Sequence, residues 1–300
     1  MPRGRGCPMS DDVWRRIDTS RPHPARVYDL LLGGKDHYEV DRAAAAAACR
    51  AHPRGYLDVR HNRDFLRRAV TSLARDEGLD QFLDIGSGLP TQENVHQIAQ
   101  RFVPSARVVY ADNDPIVLAH ARALLTSSPE GRTAYVEGDL RAADALLEQA
   151  SATLDLDRPV VLVLAAVLHF VEDADAHGVV KRLTDALPSG SRVVLSHLCH
   201  DLNPERILPV ARTMRERGMT FVLRDRAGVE RFFDANGLVV EEPGIVPVHR
   251  WRPDGAAPVP EQPAPELLAS MEPVDRLRYA DINDVTDEDI SVYGAVGRKP

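Results

Sequence analysis

Cysteine is scarce, with three in 300 residues at positions 7, 49 and 199. A set that is odd in number and widely spaced makes neither a disulfide framework nor a structural zinc pattern, and it fits a reducing compartment. Long apolar runs are missing too. The longest, Val160 to Leu168, is far too short to cross a bilayer, and the N-terminus has arginines but no apolar stretch of signal-peptide length. These absences predict a cytoplasmic chain with no membrane attachment. Positive charge is not in excess. With 37 Lys and Arg against 45 Asp and Glu, the net charge of -8 argues against a protein built to neutralise nucleic-acid phosphate, so no nucleic-acid partner is expected. Lysine is scarce as well: Lys35, Lys181 and Lys299 are the only three among those 37 basic residues, a bias of the kind a GC-rich genome produces.

What is present, 44% hydrophobic and 27% charged residues, describes an ordinary globular chain long enough for one large domain with an elaborate cap. Residues 1–24 read as a flexible arm, with Met9 before Ser10-Asp11-Asp12 as an alternative start. Residues 25–78 read as an N-terminal helical cap or lid. Within it Val27, Leu30 and Leu31 make a short apolar face, residues 40–50 are alanine-rich, and residues 56–75 space Leu57, Phe65, Leu66, Ala69, Val70 and Leu73 at helical intervals. From residue 79 the rhythm changes to short apolar runs alternating with amphipathic helices, the signature of βαβ units on a parallel sheet. The runs begin at Phe82, Arg107, Ala134, Pro159 and Ser191, with helices near 91–102, 115–126, 140–151 and 174–187 between them. Helices near 205–217 and 227–236, a strand at 238–242, a proline-rich loop around 253–265 and a last strand at 291–297 follow.

The stretch LDIGSGLPT, Leu83 to Thr91, falls at the turn from the first strand into the first helix, where an open parallel sheet places its ligand. Gly86 and Gly88 let the backbone turn tightly and come close to a ligand, and Pro90 suits a first helical turn. A dinucleotide fingerprint needs a third glycine where Thr91 stands. Asp84, two residues before the turn, disfavours a pyrophosphate and suits an ammonium or sulfonium cation. Asp112 lies 24 residues beyond Gly88, near the spacing at which an acid accepts hydrogen bonds from a ribose diol. Asp139, after the third strand, is placed to meet an adenine amino group.

These residues resemble the class I S-adenosylmethionine-dependent methyltransferases: Asp84-x-Gly86-x-Gly88 is similar to their glycine motif, Asp112 to their ribose-binding acid, and Gly138-Asp139-Leu140 to their adenine-binding turn. More narrowly, ARVYDLLLGGKDHYEVDR, LDIGSGLPT, VVYADNDPIVLAHARALL and VPVHRWRP resemble a mainly actinobacterial S-adenosyl methyltransferase family of unknown substrate. The resemblance implies an α/β, Rossmann-like fold, a doubly wound and mostly parallel seven-stranded sheet spanning residues 79–300. It also implies S-adenosyl-L-methionine as cofactor, held by Asp84, Gly86, Ser87, Gly88, Asp112, Asn113, Gly138, Asp139, Leu140 and Ala165.

Methyl transfer from a sulfonium is an in-line displacement that needs positioning, and a base only when the nucleophile is protonated. His169 and then His197, past the fourth and fifth strands, are the candidates for that base; hydrogen-bonded packing histidines are the alternative. The fourth strand lacks the Asn/Asp-Pro-Pro-Tyr tetrad of nucleic-acid amino methylation, which favours a small-molecule acceptor. His197, Cys199, His200 and Asp201 match no common zinc signature, so no metal is expected. Trp251 is either a stacking surface for substrate or a surface-packing aromatic, and the acidic run from Asp281 to Asp289 reads as a solvated loop. Gly33-Gly34-Lys35-Asp36 is not a P-loop, because Asp29 and Asp36 stand where glycine and a hydroxyl residue are required. We expect Tyr28 and Gly33 to Tyr38 to fold over the sheet edge, with Lys35 on the cofactor's carboxylate and Gly34, Asp36, His37 or Tyr38 toward the acceptor. The competing reading is a helix stop at the glycine pair. A cofactor-binding regulator without turnover is the main functional alternative; a nicotinamide oxidoreductase is disfavoured by Asp84 and Thr91.

Overall fold

The computed structural model describes residues 18–90, 93–124 and 126–300. Cys7, Met9, most of the predicted arm, and Thr91 lie outside the described residues. Five parallel strands come from the short apolar runs: β1 (Gln81–Ile85), β2 (Arg107–Asp112), β3 (Arg132–Glu137), β4 (Val161–Ala165) and β5 (Arg192–Leu198). Beyond them lie β6 (Val239–Val240), β7 (Val246–Pro247) and β8 (Val292–Arg298). The sheet runs β3-β2-β1-β4-β5-β8-β6, with β8 antiparallel to β5 and β6. It has eight strands and not the seven expected, because the two-residue β7 also pairs with β8. Two residues are too few to leave an alternating pattern in a sequence.

Eleven α-helices surround the sheet among the described residues: α1 (Pro24–Leu32), α2 (Glu39–Ala51), α3 (Tyr56–Arg75), α4 (Val95–Phe102), α5 (Pro115–Leu124), α6 (Ala143–Ala150), α7 (Asp173–Asp185), α8 (Pro204–Glu216), α9 (Arg226–Asp234), α10 (Pro265–Ser270) and α11 (Pro273–Arg276). Alternate strand residues face opposite layers. Leu83, Ile85, Leu162 and Leu164 pack against α6, α7 and α9 through Leu146, Val180 and Phe232. Phe82, Val108, Val161 and Val194 pack against α3 and α4 through Phe65, Ala69, Leu73 and Ile98. So α3, grouped with the cap by its place in the sequence, is a layer of the sheet sandwich. The cap proper is α1 and α2, where Val27, Leu30, Leu31, Ala44 and Ala48 meet Ala211 and Met214 of α8.

Three local expectations are corrected. Pro90 does not start a helix. Glu93 has φ 58°, and α4 begins after Asn94, whose amide donates to Gln97 Oε1 at 2.8 Å in a capping box. Trp251 is neither a surface residue nor a substrate platform, since it is fully buried with its ring edge-on to Phe65 at 5.3 Å. The acidic run is not simply solvated: Asp289 is buried, receives Arg54 Nε at 2.8 Å and pairs with Arg206 at 3.2 Å. After the proline-rich loop come α10 and α11, each opened by a proline at its first turn.

Candidate active site

The β1–β2 connection runs over one face through α4, and the β4–β5 connection runs over the other through α7. A cleft therefore opens where β1 and β4 lie side by side, outside their carboxyl ends. Its volume is about 360 Å³. Its walls are strand ends: Asp84 near the end of β1 with Gly86, Ser87 and Gly88 after it, Asp112 ending β2 with Asn113 after it, Gly138, Asp139 and Leu140 after β3, and Ala165 on β4. Gly86 and Gly88 have φ 72° and 67°, a region that favours glycine, and a Cβ on Gly86 would collide with Val167.

The acids of the cleft differ in their surroundings. Asp112 receives the Gly88 amide on Oδ2 and the Asp114 amide on Oδ1, both at 2.9 Å. Burial nevertheless raises its pKa, against the pull of those amides. Asp139 is turned to Arg141, whose amide and Nε lie 2.8 and 2.9 Å from Oδ1, and these bonds lower its pKa. Asp84 is 4% exposed and no hydrogen bond reaches its carboxylate among the described residues. Burial pushes its pKa up to about 7, moderated by the Arg63 guanidinium and raised further by Asp112.

A second, apolar cavity of about 100 Å³ adjoins the cleft beneath α1, α2, α3 and α8. Pro24, Tyr28, Asn62, Ala166, Phe170 and Met219 belong to both walls. A chain of hydrogen bonds fixes this junction. Asn62 Nδ2 donates to the Tyr28 hydroxyl at 2.9 Å, which donates to the Val59 carbonyl at 3.0 Å. Ser196 Oγ donates to Asn62 Oδ1 and accepts from the Ala166 amide at 2.9 Å. Ala166 itself has φ 54°, unusual for a residue with a Cβ.

Of the two candidate bases, His169 is buried in the wall of the apolar cavity, with no hydrogen-bond partner on Nδ1. Burial, then the charges of His197 and Arg224, hold it neutral with a pKa well below 6.5. His197 lines neither cavity. Its Nε2 accepts from Arg224 Nη1 at 2.6 Å, leaving Nδ1–H to donate to the Leu198 carbonyl at 2.6 Å. Burial and then Arg224 push its pKa to about 3. Among the described residues no group of His, Cys, Asp and Glu could hold a metal ion.

The glycine-lysine segment sits outside both cavities. Gly33, at φ 88°, ends α1 in a left-handed cap. Gly34 lies against the buried Asp29 carboxylate, whose Oδ2 accepts from the Asp36 amide at 2.9 Å and has His37 Nδ1 at 3.6 Å. Asp36 faces His120 at 3.4 Å, Tyr38 packs with Leu89 and Ile116, and Lys35 is exposed. These contacts give Gly34, Asp36, His37 and Tyr38 partners outside both cavities, Lys35 faces solvent, and Tyr28 stays in the cavity wall. The segment that does cover the cleft is Pro22 to Ala25, with His23 Nδ1 3.1 Å from Asp114. Arg63, half-buried beside Asp84 and bonded to the Glu93 carbonyl at 3.0 Å, is the cation on the cleft wall nearest that acid by its charge effect. Sequence reasoning passed over Asn62, Arg63 and Asp58. The signal was there: Asp58, His61 and Asn62 interrupt the stripe of α3 that Leu57, Phe65 and Leu66 make apolar.

The sequence family described as S-adenosyl methyltransferase matches residues 10–300. A crystal structure of a DUF574 family protein from Streptomyces avermitilis is similar over 95% of this chain and 100% of that one, with 45% identity and a TM-score of 0.83. A candidate methyltransferase from Thermobifida fusca is similar over 94% and 96% of the two chains, with 36% identity and a TM-score of 0.77. No curated protein matches the chain. Across nearly its whole length, then, the chain belongs to the S-adenosyl methyltransferase family, with S-adenosylmethionine as the family's cofactor.

Proposed function

We propose that the protein transfers the methyl group of S-adenosylmethionine to a small-molecule acceptor, with the cofactor in the cleft and the acceptor on the cap side of it. The observation that carries this reading is Asp84: a buried carboxyl with no hydrogen-bond donor among the described residues, at the end of β1 and beside a left-handed glycine turn. Such an acid fits a cationic ligand and repels a phosphate. The rest of the donor set fits too. Asp112 keeps lone pairs for a ribose diol, Gly138 to Leu140 flank an adenine position, and Arg63 is available to a carboxylate. When bound, S-adenosylmethionine supplies a methyl group on a positively charged sulfur. The chain's own contribution is placement and exclusion of water: Tyr28, Phe170 and Met219 close the junction, while the Asn62–Ser196–Ala166 hydrogen bonds hold the end of β4 in position.

Titration calorimetry of the folded protein with S-adenosylmethionine and S-adenosylhomocysteine tests the reading. Binding of both is expected; folded protein that binds neither overturns it. Release of S-adenosylhomocysteine on addition of cell-extract metabolites separates an enzyme from a regulator that only holds the cofactor.

A further inference from the structure

We propose that the apolar cavity is the acceptor subsite and that it takes an uncharged, largely hydrocarbon molecule, aromatic in preference, carrying a hydroxyl group. As a role in catalysis this rests on the methyl-transfer reading; as a binding site it stands on its own walls. Those walls include Val27, Leu31, Ile207, Met214, Leu198 and Phe221. The volume, about 100 Å³, is room for a small ring system, and the wall residues shared with the cleft let the rest of a molecule extend there. Phe170, Phe221 and the His169 ring form an aromatic cluster with centroids 4.2 to 5.7 Å apart, a surface suited to the face or edge of another ring.

Charge decides what else the cavity admits. No lysine or arginine lines it, so a carboxylate or phosphate would be desolvated without a counter-charge. It is not wholly apolar, however. His52 and His169 are 3% and 2% exposed, and each has a ring nitrogen with no partner among the described residues, Nε2 and Nδ1 respectively. Asp58 lies in the same wall, and among the described residues the one hydrogen bond to its carboxyl comes from the Ser291 amide, at 2.6 Å to Oδ1. Unpaired buried polar atoms are rare in a folded protein and call for a partner. A hydroxyl group both donates and accepts, so it satisfies a neutral imidazole in either tautomer and does not bring in charge. The six residues shared with the cleft bring such a molecule to the end of β4, next to Ala165 and Ala166.

The test uses 2-naphthol as the probe and 2-naphthoate as its charged counterpart, with the full-length protein. Binding is followed by naphthol fluorescence and cofactor binding by calorimetry. Naphthol is expected to bind at least tenfold more tightly than naphthoate. Val210→Trp, which fills the cavity from α8, should weaken naphthol at least tenfold and leave S-adenosylhomocysteine affinity within twofold. If Val210→Trp does not fold, Val59→Phe fills the same space from α3. Equal binding of naphthol and naphthoate, no naphthol binding, or naphthol binding indifferent to these fillings overturns the subsite. Naphthol binding that meets these expectations in a protein that fails to bind cofactor retains the subsite and overturns the methyl-transfer reading instead.

Discussion

Asp84 sets a conflict between stability and binding that can be measured on one residue. Its pKa in the folded protein, about 7, stands above the ordinary 3.8 because burial penalises the charged form. A group raised in this way contributes stability that is complete below its unfolded pKa and is lost as pH rises through about 7. Asp84→Asn should therefore stabilise the ligand-free protein at pH 8, by on the order of 2 kcal/mol in denaturant titration. The same change should weaken S-adenosylmethionine at least tenfold. In the unmodified protein the affinity should fall about tenfold per pH unit below the Asp84 pKa, since a cation demands the deprotonated form; a flat calorimetric profile between pH 5 and 8 would remove Asp84 from the site. Arg63 and Lys35 make a second pair of opposites. Arg63→Ala should cost roughly 1.5–3 kcal/mol of cofactor binding, the size of a charge-assisted hydrogen bond, while the exposed Lys35→Ala should cost none. Lys35 stood out in the sequence because lysine is rare, and rarity is not placement. Arg63 was concealed among many arginines, though it is the one beside the acid.

The elements show why some of the structure was legible and some was not. β1, β2, β4 and β5 are built on buried apolar runs because helices cover both faces of the sheet, and that pattern survives in the sequence. The glycine turn and the acids after β1, β2 and β3 were legible for the same reason: a strand end fixes where they point. The cap was harder. Its helices could be drawn from their apolar spacing, but nothing local says that Asp29, at the end of α1, folds into Gly34 or that α3 joins the sheet. Gly34 has an ordinary backbone; what requires glycine is the Asp29 carboxylate lying where a Cβ would be. Gly34→Ala should lower stability by about 1–3 kcal/mol, as overpacking does, with a matching fall in thermal midpoint. Asn62 ties α3 to β5 and α1 together through Ser196 and Tyr28. Asn62→Leu should speed hydrogen exchange in α1 and raise the Michaelis constant for the acceptor, while α6 and α7 on the far face exchange as before.

At the scale of the molecule, charge clusters join parts of the chain that no local pattern relates. Arg42 holds Asp275 across 233 positions and Arg54 holds Asp289 across 235. The Arg42 guanidinium keeps the Asp275 carboxyl below its usual 3.8; at Asp289 burial pushes upward, but hydrogen bonds from Arg54 and Thr286 prevail and lower it. Groups lowered in this way stabilise above their unfolded pKa and are lost as pH falls through the folded value, whereas Asp58 and Asp84, both raised to about 7, lose their contribution on the alkaline side. The thermal midpoint of the ligand-free protein should thus be highest near the usual carboxylate pKa and fall toward neutrality, and S-adenosylmethionine should move that maximum upward in pH. The sheet order has a consequence of another kind. β8 fills the gap between β5 and β6, and it is the last strand in chain order. During synthesis, β5 and β6 leave the ribosome with their facing edges bare and wait for the closing piece. A translation stall inside the proline-rich stretch at 253–265 would leave a nascent chain whose sheet cannot shut, with edges open to aggregation and to chaperones.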